Sequence, residues 1–442
     1  MLNNLWLGML VVAVLVGGFT GHLKETADGA IESAKTAVTL ALGLVGVMTL
    51  WLGIMRLAER AGLVSVLARA LRPLLGWLFP EVPADHPAMG SMVMNIAANV
   101  LGLNNAATPL GLRAMRDLET LNPNPGTATN AMCTFLAINT GSVQLISVNA
   151  IAVLAAAGSK NPTAIVGTTL VATFFSSVAG LVVVKVLERF SPLPVAGAGA
   201  ATESTPATPV EAAAVVQESP LQPMGGLQWL ALAAFGGAFA WFLVVVAFPD
   251  SVGRVLPADM VGQAAWIRVL NAVSVLAVPF MVAFFPFYAW LRKLAVYEEF
   301  IEGAKDGFGV AVQIIPYFVA MLVAIGCLRG AGVIELFTQV LTPALNLVNF
   351  PPDLAPMALI RPLSGSGSLA ALSDLVKTLG PDHLTARMAA TLFGSTETTF
   401  YIVAVYFGAV AVRKTRHAIW AGLAADLAGI IAAVIVCRLV WG

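Results

Sequence analysis

Long apolar runs dominate this sequence, and small polar residues interrupt several of them near their centres. A run of about 20 apolar residues is long enough to cross a bilayer as a helix. Predominantly apolar runs of that length lie at residues 36–57, 163–188, 226–248, 265–290, 307–328 and 417–440. Residues 3–21 form another apolar run. Because an α-helix satisfies its own backbone polar groups inside a membrane, these runs predict helical spans.

The most informative interrupted run is residues 387–412, where small polar residues occupy positions 394–399 at its centre. A charged side chain at that depth costs roughly 2.5–3.5 kcal/mol on insertion scales, so Glu397 needs polar surroundings. Gly394 lets the backbone leave helical geometry. The pattern predicts a broken helix around a polar cavity. The alternative is a continuous helix in which Glu397 snorkels or packs against a neighbour.

Two other interrupted stretches show related patterns. Residues 128–157 have a polar centre at 139–144, which predicts a second broken helix. Residues 90–115 contain two short apolar runs around a polar stretch at 102–109, which predicts a re-entrant hairpin with helix ends at its tip. The alternative for the hairpin is one span with a packing face rich in asparagine. A similar polar tip at residues 364–368 predicts a second hairpin.

The two halves of the chain repeat one another. Glu32 and Pro73 are each followed 270 residues later by the same residue type, at Glu302 and Pro343. Five predicted spans separate the two copies, and an odd number of crossings inverts the second copy. Inverted repeats with broken helices are typical of alternating-access transporters, whose site lies where the repeats meet.

Composition supports a membrane protein and argues against several other classes. Hydrophobic residues make up 58% of the chain and charged residues 11%, against roughly 25% charged in soluble domains. The formal net charge is zero, so we expect no nucleic-acid partner. The cysteines are isolated, the histidines form no metal-ligand pair, and no nucleophile motif stands out. We therefore expect no enzymatic activity and no cofactor.

Longer motifs give a family resemblance. NIAANVLGLNNAATPLGLRAM and MCTFLAINT in the first half resemble spore maturation protein A, and RPLSGSGSLA and GSTETTFYIVAVYFGAVAV in the second resemble spore maturation protein B. Proteins of this group carry the nucleoside recognition, or gate, domain, which is similar to the core of concentrative nucleoside transporters. The resemblance implies an all-α polytopic membrane fold with inverted repeats, re-entrant hairpins and broken helices, in the bacterial cytoplasmic (inner) membrane.

The resemblance also implies a division into domains. The A-like gate domain is expected at residues 1–190 and the B-like gate domain at 263–442. Between them, residues 191–225 are rich in Ala, Pro, Thr and Ser, which predicts a disordered linker. An extra transmembrane helix and loop are expected at residues 226–262.

Carried onto this sequence, the resemblance places a solute among the hairpin tips and broken-helix centres. The candidate substrate-binding residues are Asn95, Asn99, Asn104, Asn105, Thr108, Asn139, Thr140, Ser142, Gln144, Ser364, Ser366, Ser368, Ser395, Thr396, Glu397, Thr398 and Thr399. Amide and hydroxyl groups suit a polar, largely uncharged ligand. Carbonyl groups near Asn139, Thr140 and Ser142 are candidate ligands for a coupling Na⁺. Three roles are open for Glu397: a hydrogen bond to a ribose-like hydroxyl, neutralisation of a cationic group, or transfer of a coupling H⁺. Asp426 is a second intramembrane acid, with helix packing as its alternative role.

The predicted function is secondary transport of a small polar solute by alternating access, coupled to Na⁺ or H⁺. The solute classes left open are nucleoside-like compounds, amino acids, peptides and dicarboxylates. The alternative is a non-transporting membrane scaffold or regulator in envelope or spore-cortex maturation. The expected partners are the solute and the lipid bilayer, and we expect a homo-oligomer.

Overall fold

The computed structural model describes residues 2–190, 224–257, 260–347 and 349–442. Every regular element within these ranges is a helix, apart from one isolated bridge between Thr127 and Lys414. Six of the helices are long and apolar enough to cross a membrane. These observations confirm an all-α polytopic membrane protein. The predicted linker falls, up to residue 223, outside the described residues, and the predicted domain boundaries stay a prediction.

The helices of the described residues are named here in chain order. They are α1 (Leu2–Thr20), α2 (Leu23–Arg60), α3 (Leu63–Leu78), α4 (Pro87–Leu101), α5 (Asn104–Glu119), α6 (Asn130–Gly141), α7 (Val148–Ala156), α8 (Ile165–Phe190), α9 (Gly226–Ala247), α10 (Ala265–Leu291), α11 (Val296–Gly330), α12 (Val333–Leu347), α13 (Ala355–Ile360), α14 (Gly365–Leu379), α15 (Leu384–Ser395), α16 (Thr399–Ile402) and α17 (Ala418–Trp441). A π-helical turn, Val403–Phe407, continues α16.

The order of helices repeats along the chain. Helices α2 to α8 have counterparts in α11 to α17, and α12 begins 270 residues after α3, at the predicted offset. The offset then shortens, because α13 has 6 residues where α4 has 15. Helices α9 and α10 lie between the copies and pack through aromatic rings, with Phe235 of α9 stacked 5.1 Å from Phe287 of α10.

The counterparts α2 and α11 pack against each other and run antiparallel. Near the start of α2, Gly29 meets Gly326 near the end of α11, and near the end of α2, Gly53 meets Gly303 near the start of α11. Small residues let two membrane helices approach closely enough for backbone contact. An ion pair between Arg56 and Glu299, 3.0 Å from Nε to Oε2, joins the same two helices.

The counterparts α8 and α17 are also antiparallel. Gly180 packs against Ala425, and Ser176, four residues earlier on α8, packs against Gly429, four residues later on α17. The Ser176 hydroxyl donates to the Ala425 carbonyl oxygen at 2.9 Å. Because both pairs of counterparts run in opposite directions, the second repeat is inverted relative to the first, as the count of spans predicts.

The close contact between α2 and α11 can be tested by adding one methyl group. A Cβ at Gly303 would lie 2.6 Å from the Leu52 carbonyl oxygen and 3.0 Å from the Gly53 Cα, so Gly303→Ala must push the helices apart. We expect this variant to unfold at a lower temperature. Gly309, on the same helix, has open space where its Cβ would stand, so Gly309→Ala should be neutral or stabilising, by up to about 1 kcal/mol of helix propensity. Equal thermal shifts for the two variants in detergent would contradict the packing described.

Candidate functional site

The first broken helix is interrupted between α6 and α7. Helix α6 ends at Gly141, and Ser142 follows with φ of 21°, at the edge of the left-handed region that non-glycine residues rarely adopt. The Thr173 hydroxyl of α8 lies 2.9 Å from the carbonyl oxygens of both residues, and the Ser177 hydroxyl donates to Gly141 O at 3.0 Å. Hydroxyl groups of α8 therefore replace hydrogen bonds that the helix loses where it breaks.

The second broken helix is interrupted between α15 and α16. Thr396 and Thr398 are both in extended conformation, so the chain crosses the centre of the protein as a short strand-like segment. The Glu397 amide donates to the Thr140 carbonyl oxygen at 2.8 Å. The breaks of the two repeats thus contact each other directly through the backbone.

Each break also contacts the hairpin of its own repeat. The Leu145 amide donates to the Val100 carbonyl oxygen at the end of α4, and the Phe400 amide donates to the Pro362 carbonyl oxygen after α13, both at 3.0 Å. The two bonds stand at corresponding places in the two repeats. Hairpin ends and breaks are therefore joined by the same kind of contact in each half.

The first hairpin consists of α4 and α5, which turn at Gly102 with φ of 77°. The predicted tip at residues 102–109 is too long, because α5 already begins at Asn104 and includes Thr108 and Pro109. The left-handed conformation of Gly102 is enough to end α4 and reverse the chain. Thr108 is half-buried on α5, and the side chains of Asn104 and Asn105 lie outside the described part of the structure.

The second hairpin consists of α13 and α14, after a bend of 116° between α12 and residues 352–360. Its tip is stabilised internally, because the Ser364 hydroxyl accepts a bond from the Gly367 amide at 3.0 Å and caps α14. The Ser368 hydroxyl donates to Ser364 O at 2.7 Å. Of the three serines at this tip that were predicted to bind solute, Ser364 and Ser368 bond within the tip, and only Ser366 lines the central cavity.

A cavity of about 230 Å³ lies where the hairpins and breaks meet. Both repeats line it, and each contributes a hairpin tip and a broken helix. Its lining residues are Gly102, Gln144, Ile146, Ser147, Val148, Asn149, Ile314, Tyr317, Arg361, Gly365, Ser366, Leu369, Phe393 and Glu397. The sequence-predicted members are Gln144, Ser366 and Glu397. Sequence reasoning missed the polar residues Ser147, Asn149, Tyr317 and Arg361.

Glu397 and Gln144 join the two repeats across this cavity. The Gln144 Nε2 donates to the Glu397 Oε1 at 3.0 Å. Among the described residues, Gln144 is the only hydrogen-bond donor to the Glu397 carboxylate, and it bonds to Oε1. The side chain therefore retains capacity to accept a bond from a ligand.

Arg361 is the most consequential residue that sequence reasoning missed. It is 2% exposed, and it donates from Nη1 to the Thr398 hydroxyl and from Nη2 to the Phe393 carbonyl oxygen, both at 3.0 Å. Its guanidinium also lies 4.9 Å from the centre of the Phe393 ring. The signal was present in the sequence, since an arginine stands three residues before the predicted polar tip in RPLSGSGSLA.

Asp426 on α17 lies behind the second break. It is 1% exposed, and its Oδ2 accepts a bond from the Thr399 hydroxyl at 2.6 Å. The carboxylates of Asp426 and Glu397 both interact with Arg361 through space, without an ion-pair contact. The Asp426 side chain does not line the cavity, and its observed hydrogen bond holds the second break against α17.

The remaining hydroxyl groups in the predicted set are buried. Thr140 and Ser395 donate to carbonyl oxygens of their own helices, at 3.1 and 2.8 Å. Thr396 lies beside Asp426 and is 3% exposed. None of these three lines the cavity.

Three of the predicted asparagines, Asn95, Asn99 and Asn139, form a hydrogen-bonded network outside the cavity. Asn99 Nδ2 donates to Asn139 Oδ1 at 2.8 Å, which ties the first hairpin to the first broken helix. The Tyr406 hydroxyl lies 3.3 Å from Asn95 Nδ2 and 3.4 Å from Asn139 Oδ1, which adds the π-helical turn of the second repeat. The network has the geometry of a packing contact, as in the asparagine-rich packing face considered from the sequence.

The predicted Na⁺ site would use oxygens around the first break. The carbonyl oxygens of Thr140, Gly141 and Ser142 already accept hydrogen bonds from protein donors, and so does the Asn139 side-chain oxygen. Within the described ranges, no group of three or more His, Cys, Asp or Glu residues could hold a metal ion. The Na⁺ site stays a prediction.

Comparisons with known proteins agree with this architecture. The family model described as "Gate: Nucleoside recognition" matches residues 41–187 and 311–413, which include both hairpins and both breaks. Spore maturation protein A of Bacillus subtilis (strain 168) is 41% identical over 183 residues, which cover 41% of this chain and 93% of that protein. Spore maturation protein B of the same bacterium is 40% identical over 175 residues, which cover 40% of this chain and 98% of that protein. These matches are consistent with a fused A/B arrangement and a multi-pass bacterial membrane protein. The chain belongs to the nucleoside recognition (Gate) family.

Proposed function

We propose that this protein is a secondary transporter that moves a small polar solute across the bacterial cytoplasmic membrane by alternating access. The observation that carries the proposal is the polar cavity built from the hairpin tips and broken helices of two inverted repeats. In transporters of this general design, solute binds where discontinuous helices meet, and the repeats move relative to one another around it. A cavity between two repeats supports such movement better than a cavity within one.

Two junctions at the ends of the broken helices support the proposal. At one junction, the backbone before α6 bonds to the backbone after the π-helical turn, with the Ala128 amide donating to Lys414 O at 3.0 Å. At the other, Asp382 before α15 accepts bonds from the Ser159 hydroxyl at 2.7 Å and the Lys160 amide at 3.1 Å, after α7. Because the repeats are inverted, these junctions lie at opposite ends of the bundle. Breaking one while keeping the other would open the cavity to one side.

The coupling ion is part of the same proposal. Glu397 is our candidate proton carrier, because its carboxylate lines the cavity and bonds to the other repeat through Gln144. Gain or loss of a proton there would change a contact between the repeats. Na⁺ is the alternative coupling ion, and the proteoliposome assay below separates the two by imposing either gradient.

The test is solute uptake into proteoliposomes that contain the purified full-length protein. We expect uptake of at least one class among nucleosides, amino acids, short peptides and dicarboxylates, driven by a Na⁺ or H⁺ gradient. Glu397→Gln should lower that uptake by about 10- to 100-fold, as expected for loss of a hydrogen bond to a charged group. Glu188→Gln is the matched control, because Glu188 is a partly buried carboxylate paired with Lys185 away from the cavity.

Absence of uptake for every class, with a protein that folds and inserts correctly, would contradict the transport proposal. In that case, recovery of a stoichiometric protein partner would favour the scaffold or regulator in envelope or spore-cortex maturation.

A further inference from the structure

The cavity contains an arginine whose hydrogen-bonding capacity is only partly used. A guanidinium carries five N–H donors. The protein engages Nη1 and Nη2 once each, and the Arg361 Nε has no hydrogen-bond partner among the described residues. The side chain is 2% exposed and lines the cavity. Three of the five N–H donors of Arg361 therefore have no hydrogen-bond partner among the described residues.

An anion is the chemical partner that suits those donors. Guanidinium groups bind carboxylates and phosphates through paired N–H···O bonds. The protein carboxylates nearest to Arg361, Glu397 and Asp426, interact with it through space but do not contact it. The contact position on the cavity side of Arg361 is therefore left for a carboxylate or a similar group of a ligand.

Glu397 restricts which anion can enter. Its carboxylate lines the same small cavity, and only its Oε1 accepts a protein hydrogen bond, from Gln144. A phosphate or a second carboxylate near Glu397 would be repelled, whereas an ammonium group would be attracted. The second repeat thus places a cation and an anion at two different points of the cavity wall. Arg361 lies at the second hairpin, and Glu397 lies at the second break, beside Gln144 of the first repeat.

The size of the cavity also favours a small solute. Its volume of about 230 Å³ is below the roughly 300–1,000 Å³ of pockets that hold drug-sized ligands. Besides Tyr317, the cavity residue with an aromatic surface for a nucleobase is Phe393, and one face of its ring is occupied by the Arg361 guanidinium, 4.9 Å from the ring centre. A compact solute fits these facts better than a nucleoside.

From these observations we propose that the cavity binds a zwitterionic solute of the amino-acid type, with its carboxylate on Arg361 and its ammonium group on Glu397. This inference rests on the proposed function for the transport of that solute, and it deepens that function by naming the solute class. Gln144 would orient Glu397, and Ser366 and Asn149 would contact the remaining polar atoms of the solute.

The first test uses the unmodified full-length protein and changes the ligand. Thermal unfolding in detergent is measured with each standard L-amino acid, and then with the amide and the N-acetyl derivative of each amino acid that stabilises the protein. We expect at least one amino acid to raise the melting temperature in a saturable manner. Its amide, which lacks the carboxylate, and its N-acetyl form, which lacks the ammonium group, should each bind about 10- to 100-fold more weakly.

The second test assigns each end of the ligand to its residue. Arg361→Lys keeps the charge but loses the paired donors, so it should bind the amino acid more weakly. The difference in affinity between that amino acid and its amide should therefore become smaller. Glu397→Gln removes the negative charge proposed to contact the ammonium group, so the difference in affinity between the amino acid and its N-acetyl form should become smaller. Arg268→Gln is the control, because Arg268 is a largely buried arginine that pairs with Asp250 away from the cavity. If an Arg361 variant fails to fold, the comparison of derivatives on the unmodified protein still decides the question.

The outcomes separate this inference from the proposed function. Uptake of a nucleoside or a dicarboxylate without binding of any amino acid would overturn the inference and leave transport standing. Equal binding of an amino acid and its amide would also overturn it. Saturable amino-acid binding that depends on both charged ends, without uptake, would support the inference and contradict transport.

Discussion

The backbone of a broken membrane helix must find hydrogen-bond partners within the protein, because lipid supplies none, and this constraint organises the centre of the molecule. At the first break the partners are hydroxyl groups of α8. The Ser177 hydroxyl donates to Gly141 O, and the Thr173 hydroxyl lies within hydrogen-bonding distance of Gly141 O and Ser142 O. At the second break the Glu397 amide turns to Thr140 in the other repeat. The first broken helix thus supplies the carbonyl oxygen that accepts the hydrogen bond of the Glu397 amide in the second break. The cavity lies where they meet because neither chain segment can fill that space as a regular helix.

The two repeats divide the chemistry unequally. The first repeat contributes amides, with Asn99 and Asn139 in a packing network and Gln144 at the cavity. The second contributes the charges Arg361 and Glu397. The antiparallel pair α2 and α11 joins the halves through glycine contacts. In the proposed alternating access, the closely packed pair α2 and α11 would be the fixed part of the bundle, and the two mutually bonded breaks would be the part that rearranges.

Sequence reasoning predicted the architecture better than the identity of the site residues. Polar residues in an apolar run predicted both breaks within a few positions. The 270-residue offset predicted the second copy, and the odd number of spans between the copies predicted its inversion. The roles of individual side chains were harder to predict. A serine or threonine can bond either a ligand or a nearby backbone carbonyl, and the sequence pattern is the same in both cases. Ser368 and Ser395 bond to the backbone in this way. Arg361 was missed because charged residues beside apolar runs usually mark a membrane boundary. Its burial depends on the hairpin folding back into the bundle, which local sequence does not encode.

The central claim is that one cavity, shared by two inverted repeats, opens to the two faces of the membrane in turn. The most direct measurement labels the thiol of Ser366→Cys with a membrane-impermeant reagent added to either face of sealed vesicles, in a chain whose three native cysteines are replaced by alanine. A disulfide between Ser159→Cys and Asp382→Cys would hold the Asp382 junction closed, and this disulfide is called the lock. The account predicts labelling from both faces before the lock forms, and afterwards only from the face opposite to the locked junction. Labelling from a single face, unchanged by the lock, would contradict it.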